Sequence, residues 1–428
     1  MNCLINKELR RMKNVPEIRF KGFEEEWKTY ILSSIGNFRS NGVDKKIYND
    51  EQIVNLLNYM DVYNYRKITS KNCIDLMKVS ATKKQIKDCN IIKGDIFFTP
   101  SSETPDEIGY VMSIEETLPN TCYSYHLMRF RPFDRILYLS FADYCFSSNY
   151  FRGQMKFKAK GVQRFILSKP DFESLEALLP SYEEQEIITC LFKAIDNVIN
   201  DCKKKIASLK QLKSACLISM FPQQGETVPR VRFKGFDGEW KICELKKFAF
   251  KVTRKNCDKE FTKTFTNSAE FGVINQNEYF DRTISNSENI GGYYVVENND
   301  YIYNPRVSTL APVGPINRNK LGYTGVVSPL YLVFKANNID KDYLDVFFNT
   351  NLWHRYMKLE GNCGARFDRL SISDELFFEM PIILPSNEAE QHQIASYFHN
   401  LDIQISEQEK RLEKLKQIKA ACLDKMFV

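Results

Sequence analysis

Two stretches of the chain carry an apolar stripe at helical spacing. In the first, Pro180 and Ser181 are followed by Glu184, a capping box at a helix start. Apolar residues then recur at Ile188, Leu191, Ile195, Val198, Cys202, Ile206, Leu209, Leu212, Cys216 and Met220, and Pro222 and Gly225 end the run. In the second, Pro385 and Ser386 precede Ala389, which stands where the cap would want a Glu. The stripe runs Ile394, Phe398, Leu401, Ile405, Leu412, Leu415, Ile418, Cys422 and Met426, interrupted at Gln408. Steps of three and four give a period of about 3.5, that of a coiled coil. Each helix is about 40 residues, roughly 60 Å long, which is more than a small domain's face covers. The expectation is that the two pair with each other, antiparallel about a pseudo-two-fold axis. The competing arrangement folds each back on its own globular part.

Between the helices the pattern changes. TCYSYHLMRFRP and VVSPLYLVFKA are rich in β-branched and aromatic residues, and KGDIFFTP and NNDYIYNPR read as strands leading into loops. Helical spacing returns over residues 138–149 and 342–359. The fold class is α+β, with a curved sheet in each half.

The chain is written twice. Residues 15–28, VPEIRFKGFEEEWK, match residues 228–241, VPRVRFKGFDGEWK, at ten of fourteen positions. LPSYEEQEIITCLFKAID (179–196) answers LPSNEAEQHQIASYFHNLD (384–402), and LKQLKSACLISMF (209–221) answers LKQIKAACLDKMF (415–427). Fainter echoes, such as Gly94-Asp95 with Asn299-Asp300 and Ile108-Gly109 with Val313-Gly314, lie at one constant offset. Residues 29–90 and 242–295 share no pattern. This divides the chain into a flexible tail (1–14), a first globular domain (15–179), a central helix (180–221), a linker (222–227), a second globular domain (228–384) and a C-terminal helix (385–428). A duplicated frame implies approximate two-fold symmetry, like a fused dimer. Unlike contents imply that the halves bind unlike things.

Composition narrows the chemistry. A net charge of +6 over 428 residues permits a polyanionic partner without demanding one. None of the 12 Cys forms a C-x-x-C pair, as expected of reduced thiols in a cytoplasmic protein. His126, His354, His392 and His399 sit in no metal-ligand cluster. There is neither a signal peptide nor an 18-residue apolar run, so no membrane partner is expected. A Walker A loop, an amino-methyltransferase Asn/Asp-Pro-Pro-aromatic motif, a nuclease carboxylate set and a nucleophile triad are all missing; Asn304-Pro305-Arg306 reads as a turn. The expectation is a chain that catalyses nothing and carries no cofactor or metal.

Basic residues interleaved with aromatics are the remaining chemistry. Arg152, Lys156, Lys158, Lys160 and Arg164 run through FRGQMKFKAKGVQRF. Arg355, Lys358, Arg366 and Arg369 occupy the matching place in the second half. Arg282, Arg306, Arg318 and Lys320 lie on loop-like segments. Such cations neutralise phosphates, and Arg also grips guanine edges. For any one of them, a solvated surface charge is the competing reading.

The duplicated VPxxRFKGFxxEWK opening and the duplicated LPS…LKxxKxxCLxxMF helix, in this order, resemble the specificity subunits of Type I restriction–modification systems over residues 15–427. The resemblance implies that 15–179 and 228–384 are target-recognition domains binding double-stranded DNA. It also implies that the helix pair spaces them and docks two methyltransferase subunits, with translocase-nuclease restriction subunits joining. The partners would use S-adenosylmethionine, ATP and Mg. Unlike readers on a symmetric frame imply a bipartite, asymmetric site with an unread spacer. The rival readings are a coiled-coil adaptor and a stand-alone DNA-modifying enzyme.

Overall fold

The computed structural model describes residues 14–133, 135–276, 290–362 and 368–428. The chain divides into two compact units, one of Met1–Lys203 with Lys410–Val428 and the other of Lys204–Glu409. The divisions fall inside the long helices, so each unit holds segments of both. The expected tail, save Asn14, lies outside the described residues.

The helices span Tyr182–Ser219 and Glu388–Lys425. Ser181 caps the first, its hydroxyl accepting from the Glu184 N–H at 3.2 Å. The Glu184 carboxylate is not the reciprocal cap. It is buried against Arg19, at 2.8 and 2.7 Å. In the second helix the one inserted residue moves the cap to Asn387, whose side chain accepts from the Ala389 N–H at 2.8 Å. Glu390 then takes the place of Glu184 and holds Arg232 at 2.7 and 2.8 Å. Ala389 is therefore no defect in the cap.

The inward stripe differs from the sequence expectation by one residue at four places. Phe192 and Ile199 are buried, whereas Leu191 lies at the margin and Val198 is exposed. Lys213 and Lys419 point inward in place of Leu212 and Ile418, which are exposed. The corrected positions, 188, 192, 195, 199, 202, 206, 209, 213, 216 and 220, alternate in steps of four and three without a break. Gln408 continues the second stripe and makes its own polar contact.

In the first unit, Ile188 and Phe192 share a core with Met426, Phe427, Trp27, Phe141 and Phe172. Lys419 reaches Asp196 at 2.5 Å. In the second unit, Leu209, Met220 and Phe221 share a core with Ile394, Phe398, Leu401, Ile405, Trp240 and Tyr343. There Lys210 meets Glu409 at 2.7 Å and Lys213 meets Asp402 at 2.6 Å. Within each unit the helix segments thus run antiparallel.

Each unit holds the same four-stranded antiparallel sheet. In the first its order is Gly36–Arg39, Met128–Pro132, Ile96–Phe98, Val111–Ser113. In the second it is Ala249–Lys251, Leu332–Ala336, Tyr301–Tyr303, Ile316–Arg318. The strand joining the opening segment to the helix start also recurs, as Lys28–Ile31 with Glu176–Leu179 and as Lys241–Glu244 with Pro381–Leu384. The remaining sheets differ between the units. The first has four strands, Met77–Ala81, Gln52–Leu57, Leu118–Tyr123 and Asn90–Ile91, and the second has the pairs Tyr294–Val296 with Gly325–Val327 and Phe265–Ser268 with Gly272–Asn275. In the repeated four-stranded sheet, topology persists where sequence resemblance does not.

Some expected elements divide. TCYSYHLMRFRP and VVSPLYLVFKA each contribute to two strands in different sheets, turned by the Leu127 N–H to Ser124 and the Tyr331 N–H to Ser328, both at 3.0 Å. Residues 138–149 contain one short helix, Phe141–Cys145, and Ser148 caps the next, Asn149–Lys158. Residues 342–359 break into Lys341–Phe348 and His354–Glu360. Among the described residues no helix is long and apolar enough to cross a membrane.

Candidate nucleic-acid interface

The two units place an exposed basic edge at the same point of the repeated sheet. In the first, the loop leaving Ile96–Phe98 pairs Ser101–Ser102 with Phe165–Ile166. The Leu167 N–H donates to Pro100 at 2.9 Å, and Lys160 bridges Ile166 to close a short hairpin. In the second, the loop leaving Tyr301–Tyr303 bridges Arg306 to Arg369. The Leu370 N–H donates to Pro305 at 2.9 Å, and Asn362 bridges Ser371. Arg164 of the first cluster and Arg369 of the second therefore meet the same kind of loop in the two units.

The first edge is well defined. Arg152 donates to the Asp106 carbonyl, with its guanidinium over the Tyr110 ring at 5.5 Å. Lys156 reaches the Asp106 carboxylate at 2.5 Å, and its hydrogen bond and charge hold that carboxyl below the usual range. Lys160 lies 3.9 Å from Asp171, and Lys158 ends the helix. Arg164 is exposed and donates to the Ser101 hydroxyl at 3.1 Å. Burial holds the His126 imidazole below its ordinary value, and the charges of Lys45 and Arg164 add to this. Apolar side chains stand out among these cations, Phe157 at 91% and Val162 at 93% exposed.

On the second edge Arg306 is 68% exposed in its side chain and lies 3.8 Å from Asp368. Arg355 and Lys358 are exposed on the helix His354–Glu360. Arg318 differs from its loop expectation. It sits in the strand Ile316–Arg318 with its side chain 8% exposed, and donates to both Asp342 and Asp345. That pairing makes it a structural cation. Lys320 is exposed and pairs with Asp345 at 2.7 Å. Arg282 and Arg366 lie outside the described residues.

Sequence reasoning missed the tyrosines beside the first edge. Tyr59 stacks on Tyr63 with centroids 6.0 Å apart, and Tyr63 and Tyr65 pack on Tyr110 at 4.8 and 5.5 Å. The aromatic run NYMDVYNYR was the available signal. A cleft of about 410 Å³ lies elsewhere, beside Arg19 and Glu184, and its rim of Glu24, Glu25 and Glu26 suits a phosphate backbone poorly. Among the described residues no group of three His, Cys, Asp or Glu could hold a metal.

The family model of the Type I restriction modification DNA specificity domain matches the sequence twice, at residues 24–211 and 237–417. No curated protein sequence matches. Among solved structures, the S subunit of a Type I restriction-modification system from M. genitalium aligns with a TM-score of 0.55 at 13% identity. The alignment covers 97% of this chain and 99% of that one. A chain from a structural study of complex assembly and conformational transition of the type I R-M system aligns with a TM-score of 0.56 at 15% identity, covering 95% and 99%.

Proposed function

This chain belongs to the family of Type I restriction–modification DNA specificity proteins, and from that premise we propose that it reads a two-part, asymmetric DNA site, one part with each unit. The carrying observation is the repeated edge. One scaffold position in each unit brings cations to a loop bridged to a second segment, from that second segment at Arg164 in the first unit and from the loop at Arg306 in the second. Phosphate contacts from such cations position a reader, and base-edge contacts specify sequence.

The long helices act as an antiparallel coiled-coil spacer, and their unbroken heptad stripe supports this. The unread gap then follows helix length. The chain works in the cytoplasm with two methyltransferase subunits and with restriction subunits, which bring S-adenosylmethionine, ATP and Mg. It contributes recognition rather than catalysis or cofactor binding of its own.

Mapping methylated adenines in cells that carry the chain with its methyltransferase partner tests the reading. A two-part motif is expected, and four residues inserted near Ser208 should lengthen its gap. An unchanged gap refutes the spacer. Binding should also fall by about 10³–10⁵ between about 50 and 200 mM salt if six to ten phosphates are contacted; salt-indifferent association would favour an adaptor.

A further inference from the structure

We infer that the hairpin tip Val162-Gln163-Arg164 is the element of the first unit that touches base edges, an assignment that rests on the DNA-reading function proposed above. The base of this hairpin is fixed. The Ile166 N–H donates to the Lys160 carbonyl at 2.9 Å and the Lys160 N–H returns the bond at 3.1 Å. Leu167 is buried beneath, and Phe165–Ile166 pairs with Ser101–Ser102. The turn is shaped by Gly161, whose φ is +141°. A Cβ there would lie 1.9 Å from the Arg164 carbonyl oxygen, so the turn requires glycine.

The tip beyond this fixed base is left in solvent. Val162 is 93% exposed, and Gln163 is exposed and makes no hydrogen bond among the described residues. Arg164 is oriented by Ser101 and lies close enough to Tyr59 and His126 for its charge to act on both. An isolated valine held out in water beyond a fixed hairpin base gains nothing from this chain's own core.

The residue types match what base edges offer in the major groove, which is wide enough for a two-stranded β-ribbon. Arginine grips guanine O6 and N7, the glutamine amide pairs with adenine N6 and N7, and an apolar side chain meets the thymine methyl. Lys158 and Lys160 lead into the tip, exposed or partly exposed, where they suit neighbouring phosphates. A duplex reading of guanine and adenine, with a thymine methyl beside them, is therefore assigned to the first unit's half of the site.

The test uses the full chain, immobilised and presented with a pool of random-sequence duplexes, and compares the bound sequences for the wild type, Gln163→Ala and Arg164→Lys. The last variant keeps the charge but loses the planar fork. Thermal unfolding of each variant confirms an unchanged fold. The wild type is expected to enrich a two-part motif. Arg164→Lys should cut a guanine preference, and Gln163→Ala an adenine preference, by roughly tenfold or more at one position of one half, with the other half untouched. A two-part motif left unchanged by both variants overturns the tip assignment alone. Loss of both halves together also overturns it, since the tip would then serve general binding. If the wild type enriches no two-part motif, the DNA-reading function itself fails.

Discussion

The indole of Trp27 meets the ring of Phe427 edge to face, with centroids 5.9 Å apart and planes at 81°. The other unit repeats the arrangement in Trp240 and Phe221, at 5.7 Å and 80°. Each opening segment is thus packed by the end of the helix that its repeat partner supplies. Replacing Phe427 by Ala should cost about 3–5 kcal/mol, concentrated in the first unit. Hydrogen exchange should show faster opening around Trp27 and Phe141, with amides around Trp240 unchanged. Equal loosening of both units would contradict the packing.

Glu184 and Arg19 form a buried pair, with side chains 1% and 11% exposed. Removing one partner strands a charge. Glu184→Ala should destabilise by about 3–5 kcal/mol, while replacing both residues with apolar ones of similar size should cost far less. Denaturant unfolding of the single and double variants checks this. A double variant as unstable as the single one would show that packing, not charge, sets the cost.

The helix register predicts a sharp contrast between neighbours. Ile199 is 7% exposed and Val198 39%. Ile199→Ala should cost about 2–5 kcal/mol, and Val198→Ala should stay within about 0.5 kcal/mol. Comparable losses in thermal melting would place the inward stripe elsewhere.

Asp300 and Asp95 occupy equivalent places but differ in pairing. Arg131 grips Asp95 at 2.6 and 2.8 Å. Lys335 lies 4.0 Å from Asp300 because it reaches Glu297 at 2.6 Å. Burial, the main cause, pushes the Asp300 carboxyl up to about 6. A carboxyl raised in the folded state favours folding while protonated. Its contribution is therefore present below about pH 4 and lost as pH rises through about 6. Asp300→Asn should gain melting temperature relative to the wild type across that window and level off above it. A difference that is flat with pH would rule out the titration.

The duplicated frame and the two long helices were legible because repetition and period extend over many residues. The register was not, since Leu191-Phe192 and Val198-Ile199 offer two apolar residues for one inward position. At 212–213 and 418–419 the outcome ran against apolarity. Lys213 and Lys419 lay their methylene stems inward while each ammonium reaches a carboxylate, a choice visible only when the opposing Asp402 and Asp196 are in place. The basic edge was half legible. Its cations stand out in FRGQMKFKAKGVQRF, but the two-residue strand that fixes them to Ser101–Ser102 is too short to leave a period. Arg318 was misplaced because its two carboxylates, Asp342 and Asp345, lie on a helix far along the sequence.

The sharing of helix ends governs when each unit can close during synthesis. The ribosome delivers Trp27, Phe141 and Phe192 long before Met426 and Phe427, yet all five belong to one core. The first unit is synthesised first but cannot seal until the second helix has emerged, so its nascent form stays open while the other half is translated.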